Sequence, residues 1–186
     1  GDGKESSCEN TVNSVQRLFY NIPINTYFSL DLDGIAALND SIGGVDVVSP
    51  ETIGDFVEGQ SYHLVGQQAE SFVRTRDTNK TDSNNMRMQR QKVYIQSFMN
   101  TVLQQTKKDL TTPIDLFNAS APYSCTNLNP SKVSYLAQQA VLGGMNGIDM
   151  VSVPGQVTMG SKYAEFNVSE AEFYQLFLSI YYTKIE

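Results

Sequence analysis

The sequence predicts an α/β domain, helices layered on both sides of a mixed central sheet, and three observations predict it. Stretches with an apolar residue every third or fourth position alternate with stretches in which every second residue is apolar, the helix and strand periods respectively. Glycine and proline punctuate the changes of period, at Pro23, Gly43-Gly44, Pro50, Pro130 and Pro154-Gly155. Finally, 186 residues with 40% hydrophobic content are enough for one well-buried core. No internal repeat, low-complexity tract or linker divides the chain, so residues 1–186 read as a single domain.

The elements follow in order. Asn10 or Thr11 caps a first helix with Val12, Val15, Leu18 and Phe19 inward, ended by Pro23. Ile24, Thr26, Phe28, Leu30 and Leu32 alternate as a strand. Asp33 caps a short helix with Ile35, Leu38 and Ile42 inward, which Gly43-Gly44 closes. Val45 to Val48 is a short strand stopped by Pro50. A helical turn over 66–73, with Ala69, Phe72 and Val73 on one side, delivers Arg74 and Arg76 at its end. Asp82, Ser83, Asn84 or Asn85 caps a long helix that begins near Met86 and keeps Met88, Ile95, Phe98, Met99, Val102 and Leu103 at helical spacing to about Lys107. Thr111 to Pro122 reads as a breaker-rich connection. Asn129-Pro130 opens a helix over Val133, Leu136, Ala137, Ala140 and Val141. Ile148 to Val153 reads as a strand, 154–155 as a turn and 156–167 as one or two more strands. Ser169 and Glu172 form a capping box for a last helix with Phe173, Leu176, Phe177 and Ile180 inward.

Four of the five arginines, Arg74, Arg76, Arg87 and Arg90, fall in the stretch FVRTRDTNKTDSNNMRMQRQ, although the chain carries a formal net charge of −7. Guanidiniums are planar, permanently charged and forked, so several converging on one spot imply a multiply charged anion such as a phosphate. On the long helix Arg87, Arg90, Gln91 and Tyr94 stand at i, i+3, i+4 and i+7, one stripe that starts in the first turns. Cations there oppose the helix dipole unless an anion sits among them, and the free N–H groups of that end favour the same anion.

The run NIPINTYFSLDL, then LNDSIGGVDV, a loop at Gly59, HLVGQQA, R-x-R and R-x-x-R-Q resembles, in order and spacing, the LytR-CpsA-Psr family of cell-envelope proteins. The resemblance covers residues 10–108 well. It extends more weakly over 109–186, where Thr126-Asn127-Leu128 and Val153-Pro154-Gly155 look like C-terminal landmarks. It implies a phosphotransferase on the extracytoplasmic face of a bacterial membrane that moves an anionic glycopolymer, teichoic acid or capsule, from a polyprenyl pyrophosphate carrier to peptidoglycan. Arg74, Arg76, Arg87, Arg90 and Gln91 match the family's pyrophosphate-binding positions, and Mg2+ is the metal the resemblance implies. The family's opening strands, which carry the metal-binding aspartate and further arginines, have no counterpart here. Residues 1–7 resemble the loop that follows them. The chain is therefore expected to be the C-terminal part of the domain of a membrane-anchored parent, weak or inactive as a catalyst alone. A binding module for polyprenyl phosphate or wall polymer is the alternative, and a transcriptional attenuator the weaker one. Tyr27, Phe28, Phe98, Met99 and Leu103 read as core, or as lining of the hydrophobic channel in which the family holds its lipid.

Cys8 and Cys125 match no metal spacing and read as independent thiols, or as a bridge suited to an extracytoplasmic setting. His63, the single histidine, lacks zinc-ligand partners and reads as a loop or surface residue. No run approaches ~18 apolar residues, the length a membrane helix needs. Outside the arginine cluster the basic groups are too few to release many counterions from nucleic acid. The expected result is no detectable binding to DNA or RNA at physiological salt by gel shift, and a sequence-selective micromolar complex there would overturn the reading.

Overall fold

The computed structural model describes residues 4–77, 83–160 and 163–182. Its elements run α1 (Glu5–Leu18), β1 (Phe28–Leu30), α2 (Asp33–Ser41), β2 (Val45–Val48), β3 (Ser61–Leu64), α3 (Gln67–Arg74), α4 (Ser83–Lys108), α5 (Thr112–Ser120), β4 (Ser124–Thr126), α6 (Pro130–Leu142), β5 (Gly155–Met159), β6 (Ala164–Val168) and α7 (Glu170–Tyr181). The chain is α/β, as the alternating periods predict. Among the described residues, however, the strands pair as three separate two-stranded antiparallel sheets, β1–β4, β2–β3 and β5–β6, rather than as one mixed sheet. They are three to five residues long, and their outer neighbours are helices: α4 packs against β2, and α1 against β4.

The core lies between the β2–β3 hairpin, α3 and α4. Val45, Val47, Phe56, Leu64, Ala69, Phe72 and Tyr94 close-pack there, and the Phe56 and Phe72 rings meet edge to face at 5.1 Å. Alternation in β2 is clean, with Val45 and Val47 inward and Asp46 and Val48 outward. Gly44 enters this strand at φ +95°, where a side chain would strain the backbone and strike the His63 ring. A second, aromatic cluster joins the end of α1 to α7. There Tyr20, held at φ +54°, puts its ring against Phe173, Tyr174 and Phe177.

Several elements depart from the sequence reading, each for a local reason. Helix α1 starts at Glu5, an acidic residue well placed at a helix N-terminus, so Asn10 and Thr11 lie inside it rather than capping it. Its Val15 and Leu18 are exposed, and its buried residue is Cys8. Strand β1 is only Phe28–Leu30, because the pairing beyond it passes to side chains: Asn127 accepts from the Tyr27 N–H at 3.0 Å and donates to the Asn25 carbonyl at 3.0 Å. The 111–122 connection contains α5, in which Pro113 occupies the first turn, where a missing N–H costs nothing. Residues 148–153 form no strand, since α4 takes up their backbone: Asn100 accepts from Ile148 N and Gln96 donates to Ile148 O. Helix α6 starts as expected, with the Asn129 side chain accepting from Lys132 N at 2.9 Å. Ser169 precedes α7, but its side chain makes no capping bond.

His63 lies on β3, opposite Asp46, with Nδ1 2.8 Å from Asp46 Oδ1 and Nε2 3.0 Å from the Gly43 carbonyl. Two acceptors suit an imidazolium, and the Asp46 hydrogen bond raises the His63 pKa above its ordinary 6.5 against a smaller opposing effect of desolvation. A folded-state pKa above the unfolded one gives a stability contribution that is complete below the unfolded value. The contribution is lost as pH rises through the folded one. Thermal melts of the protein between about pH 5 and 9 should therefore show a small decline as pH rises above the ordinary histidine pKa, and His63→Gln should remove it.

Candidate functional site

Helix α3 ends at Arg74, and its last carbonyls have no partner within the helix. Arg90 supplies one. Its guanidinium is fully buried, and it donates from Nη1 to Phe72 O at 2.5 Å, from Nη2 to Thr75 O, and from Nε to Glu51 Oε1 at 2.7 Å. Gln91 adds a bond from Nε2 to Val73 O at 3.2 Å. Arg90 and Gln91 thus cap α3 from the side, and the Arg90–Glu51 ion pair ties that cap to the segment after β2. Arg90 was expected among the phosphate ligands. With every nitrogen engaged inside the protein it does not face a ligand space, and that expectation is corrected.

The cap fixes where the other arginines point. Arg74, Arg87 and Gln91 share a cavity of about 740 Å³ with Phe28, Leu30, Leu32, Ile35, Leu38, Val73, Tyr94, Ile95 and Phe98. Apart from Arg74, Arg87, Gln91 and the Tyr94 hydroxyl, the lining is apolar. Arg87 is half-buried: Nη2 donates to Asn84 Oδ1 at 2.8 Å, while Nε is buried without a hydrogen bond among the described residues. Arg74 is more exposed and already paired with Glu70 Oε1 at 2.7 Å, one helical turn earlier. Arg76 does not line the cavity; it is exposed, and its Nε donates to Ser83 Oγ at 3.0 Å, bracing the chain at the start of α4. Asp82, considered as a cap, lies outside the described residues.

Tyr94 closes the inner end of the cavity. Its hydroxyl donates to Asn39 Oδ1 at 3.2 Å, and Asn39, itself fully buried, donates to Leu64 O at 2.8 Å. Burial, reinforced by the Asp40 carboxylate, pushes the Tyr94 phenol far above its ordinary pKa, so it stays neutral at any working pH.

Of the residues chosen from sequence, then, Arg74, Arg87 and Gln91 come together, Arg76 stands beside them and Arg90 serves the core. The channel alternative for Phe28 and Phe98 matches their position on the cavity wall. Met99 and Leu103 do not line it: Met99 is exposed and Leu103 is buried. Two features were missed. Glu51, an isolated acid after a proline, carries no signal that it is the buried partner of Arg90. Leu32, Ile35 and Leu38 had the periodicity of ordinary core residues.

An apolar cavity bordered by guanidiniums is chemically suited to an amphiphile with an anionic head. The model of the LytR_cpsA_psr family matches residues 6–178, and the chain belongs to that family. No curated protein matches it. Among solved structures it is similar to Lin1025 from Listeria innocua, at 20% identity and TM-score 0.69, covering 92% of this chain and 74% of that one. It is also similar to B. subtilis TagV, at 22% identity and TM-score 0.67, over 95% and 71% of the two chains. A third is TagT bound to LI-WTA, at 15% identity and TM-score 0.66, over 91% and 64%. At such identities the likeness is one of fold. Among the described residues no helix is long and apolar enough to cross a membrane.

If Arg90 is a cap rather than a ligand, Arg90→Ala should cost about 3–5 kcal/mol in urea denaturation, because it strands Glu51 and two carbonyls in the interior. Glu51→Leu with Arg90→Met should recover only part of this, since the carbonyls of Phe72 and Thr75 stay without donors. Arg87→Ala should change stability by no more than about 1 kcal/mol.

Proposed function

We propose that this chain binds a polyprenyl pyrophosphate-linked anionic glycopolymer, its isoprenoid tail in the apolar cavity and its pyrophosphate on Arg87 and Arg74. In this reading the chain is part of an enzyme that transfers wall teichoic acid or a similar polymer to peptidoglycan at the outer face of the cell membrane. One observation carries the proposal: two guanidiniums border a single apolar cavity, and one of them has a buried N–H with no partner among the described residues. Family membership and the likeness to TagT bound to LI-WTA support the choice of a wall polymer as cargo.

In the transfer, an acceptor hydroxyl attacks the phosphorus next to the sugar, and the bridging oxygen leaves with polyprenyl phosphate. Arg87 is the group placed to hold the diphosphate and to meet the charge that grows on that oxygen; removing such a donor typically costs about 2–4 kcal/mol of transition-state stabilisation. Arg74 is the second, after exchanging Glu70 for phosphate. Gln91, held on Val73 O, keeps the wall between them in place. Mg2+, implied by the family resemblance, finds no donor set here: no three His, Cys, Asp or Glu side chains converge among the described residues. Of the two carboxylates that the arginines bring near, Glu51 is bound to Arg90 and Glu70 to Arg74. The same donor shortage favours, as a second reading, a role for this chain in holding the lipid-linked substrate without turning it over.

Binding of a soluble prenyl pyrophosphate, measured by calorimetry beside the matching prenyl alcohol and inorganic pyrophosphate, tests the assignment. The intact amphiphile should bind more tightly than either half. Arg87→Ala should weaken it by about 10- to 100-fold, the value of one charge-assisted contact, and Arg74→Ala by less. Unchanged affinity in Arg87→Ala would remove the residue from the site, and equal affinity for the alcohol would remove the anion from the proposal.

A further inference from the structure

The chain has two cysteines, roughly 120 residues apart, on elements that the fold packs together. Cys8 is the buried residue of α1, only 8% exposed. Cys125 is the central residue of β4, opposite Ser29 of β1, and α1 packs against this strand. Cys8 lines a surface cavity together with Tyr27, Phe28 and Ser29, and Ser29 is the register partner of Cys125. Both are free thiols in this structure. A buried cysteine elsewhere behaves as a small apolar group, but two brought among the same neighbours from distant elements are candidates for a covalent link.

We propose that Cys8 and Cys125 are a disulfide-forming pair that ties α1 to the β1–β4 ribbon. The oxidant is a disulfide, either of a protein oxidoreductase or of a small thiol. The thiolate of one cysteine attacks a sulfur of that disulfide and expels the first thiol. The second cysteine then attacks the mixed disulfide and expels the other. Two protein thiols give up two protons and two electrons, and the oxidant leaves as two thiols. The inference is independent of the lipid-binding reading.

The surroundings keep Cys125 quiet until such a partner arrives. Burial, the Cys8 thiol and, more weakly, Glu5 raise the Cys125 pKa above its ordinary value, while the hydrogen bond from Tyr27 pulls the other way. Little thiolate is therefore present at neutral pH, and exchange should quicken as pH rises.

The purified chain should be divided between reduced dithiothreitol and oxidised glutathione at about pH 8, quenched under denaturing conditions with an alkylating agent, and mapped by mass spectrometry. The oxidised arm should lose both alkylation sites together and yield one peptide pair linked Cys8 to Cys125 within a monomer. Its melting temperature should exceed that of the reduced arm by about 5–10 °C, an increment absent from Cys8→Ser and Cys125→Ser. Because the oxidised and reduced arms use the same unaltered protein, the comparison stands even if a serine variant folds poorly. Full alkylation of both cysteines in the oxidised arm, a linkage found only between chains, or no rise in melting temperature would each overturn the proposal.

Discussion

The buried guanidinium of Arg90 is the constraint from which the arrangement of the site follows. An ion in the interior costs several kcal/mol to desolvate unless each of its donors is met, and here they are met by three acceptors from two separate segments. Two of the acceptors are backbone carbonyls at the end of α3, so the registration of α3 against α4 is set by hydrogen bonds as well as by the packing of Phe72 and Val73. Once that registration is fixed, Arg74 leaves the end of one helix and Arg87 the first turns of the other, and both come to border the same space. A lysine could not replace Arg90, since its point charge lacks the fork that reaches Glu51 and both carbonyls together.

This division of labour bears on how substitutions in the R-x-x-R-Q motif should be interpreted. Arg87 and Arg90 lie one turn apart on the same helix, yet one borders the cavity and the other sits in the core. Loss of Arg90 would abolish activity through the fold, because the end of α3 would be uncapped and Glu51 left unpaired. Loss of Arg87 would leave the fold intact and, in the proposed binding mode, remove a contact to the ligand. Only a stability measurement beside a binding measurement separates the two, since an activity assay alone would score both as essential.

Much of the fold was legible because it rests on local signals. The alternation in Val45–Val48, the Gly43-Gly44 stop and the Asn129-Pro130 start are each fixed by backbone preferences of a few neighbouring residues, and each appears where expected. What could not be read depends on distant partners. Strand β4 exists because Phe28–Leu30 is there to pair with it, about a hundred residues earlier in the chain, and β1 is short because Asn127 substitutes its side chain for the next rung of the ladder. The arginine cluster shows the same limit within the site. Spacing placed Arg87, Arg90, Gln91 and Tyr94 on one stripe, but a stripe has two edges, and the position of Glu51 decides which edge is core.

The site's electrostatics also rank its two cavity arginines. Arg74 carries its own counterion in Glu70, so an incoming anion must displace a carboxylate that is itself largely sheltered, at 12% exposure, and the net gain there is the difference between two similar contacts. Among the described residues Arg87 faces no such competitor. Its Nη2 is spent on a neutral amide, and its buried Nε has given up water without gaining a partner among the described residues, a cost that a phosphate oxygen would relieve. The helix N-terminus adds to the same effect, since the positive end of the α4 dipole lies beside a cation and both are relieved by one anion. The apolar wall then excludes a free, fully hydrated anion from the deeper space and admits a headgroup that brings its own hydrocarbon. In the proposed binding mode, affinity therefore depends on both parts of such a ligand being present at once, with Arg87 as the primary anchor and Arg74 as the second contact.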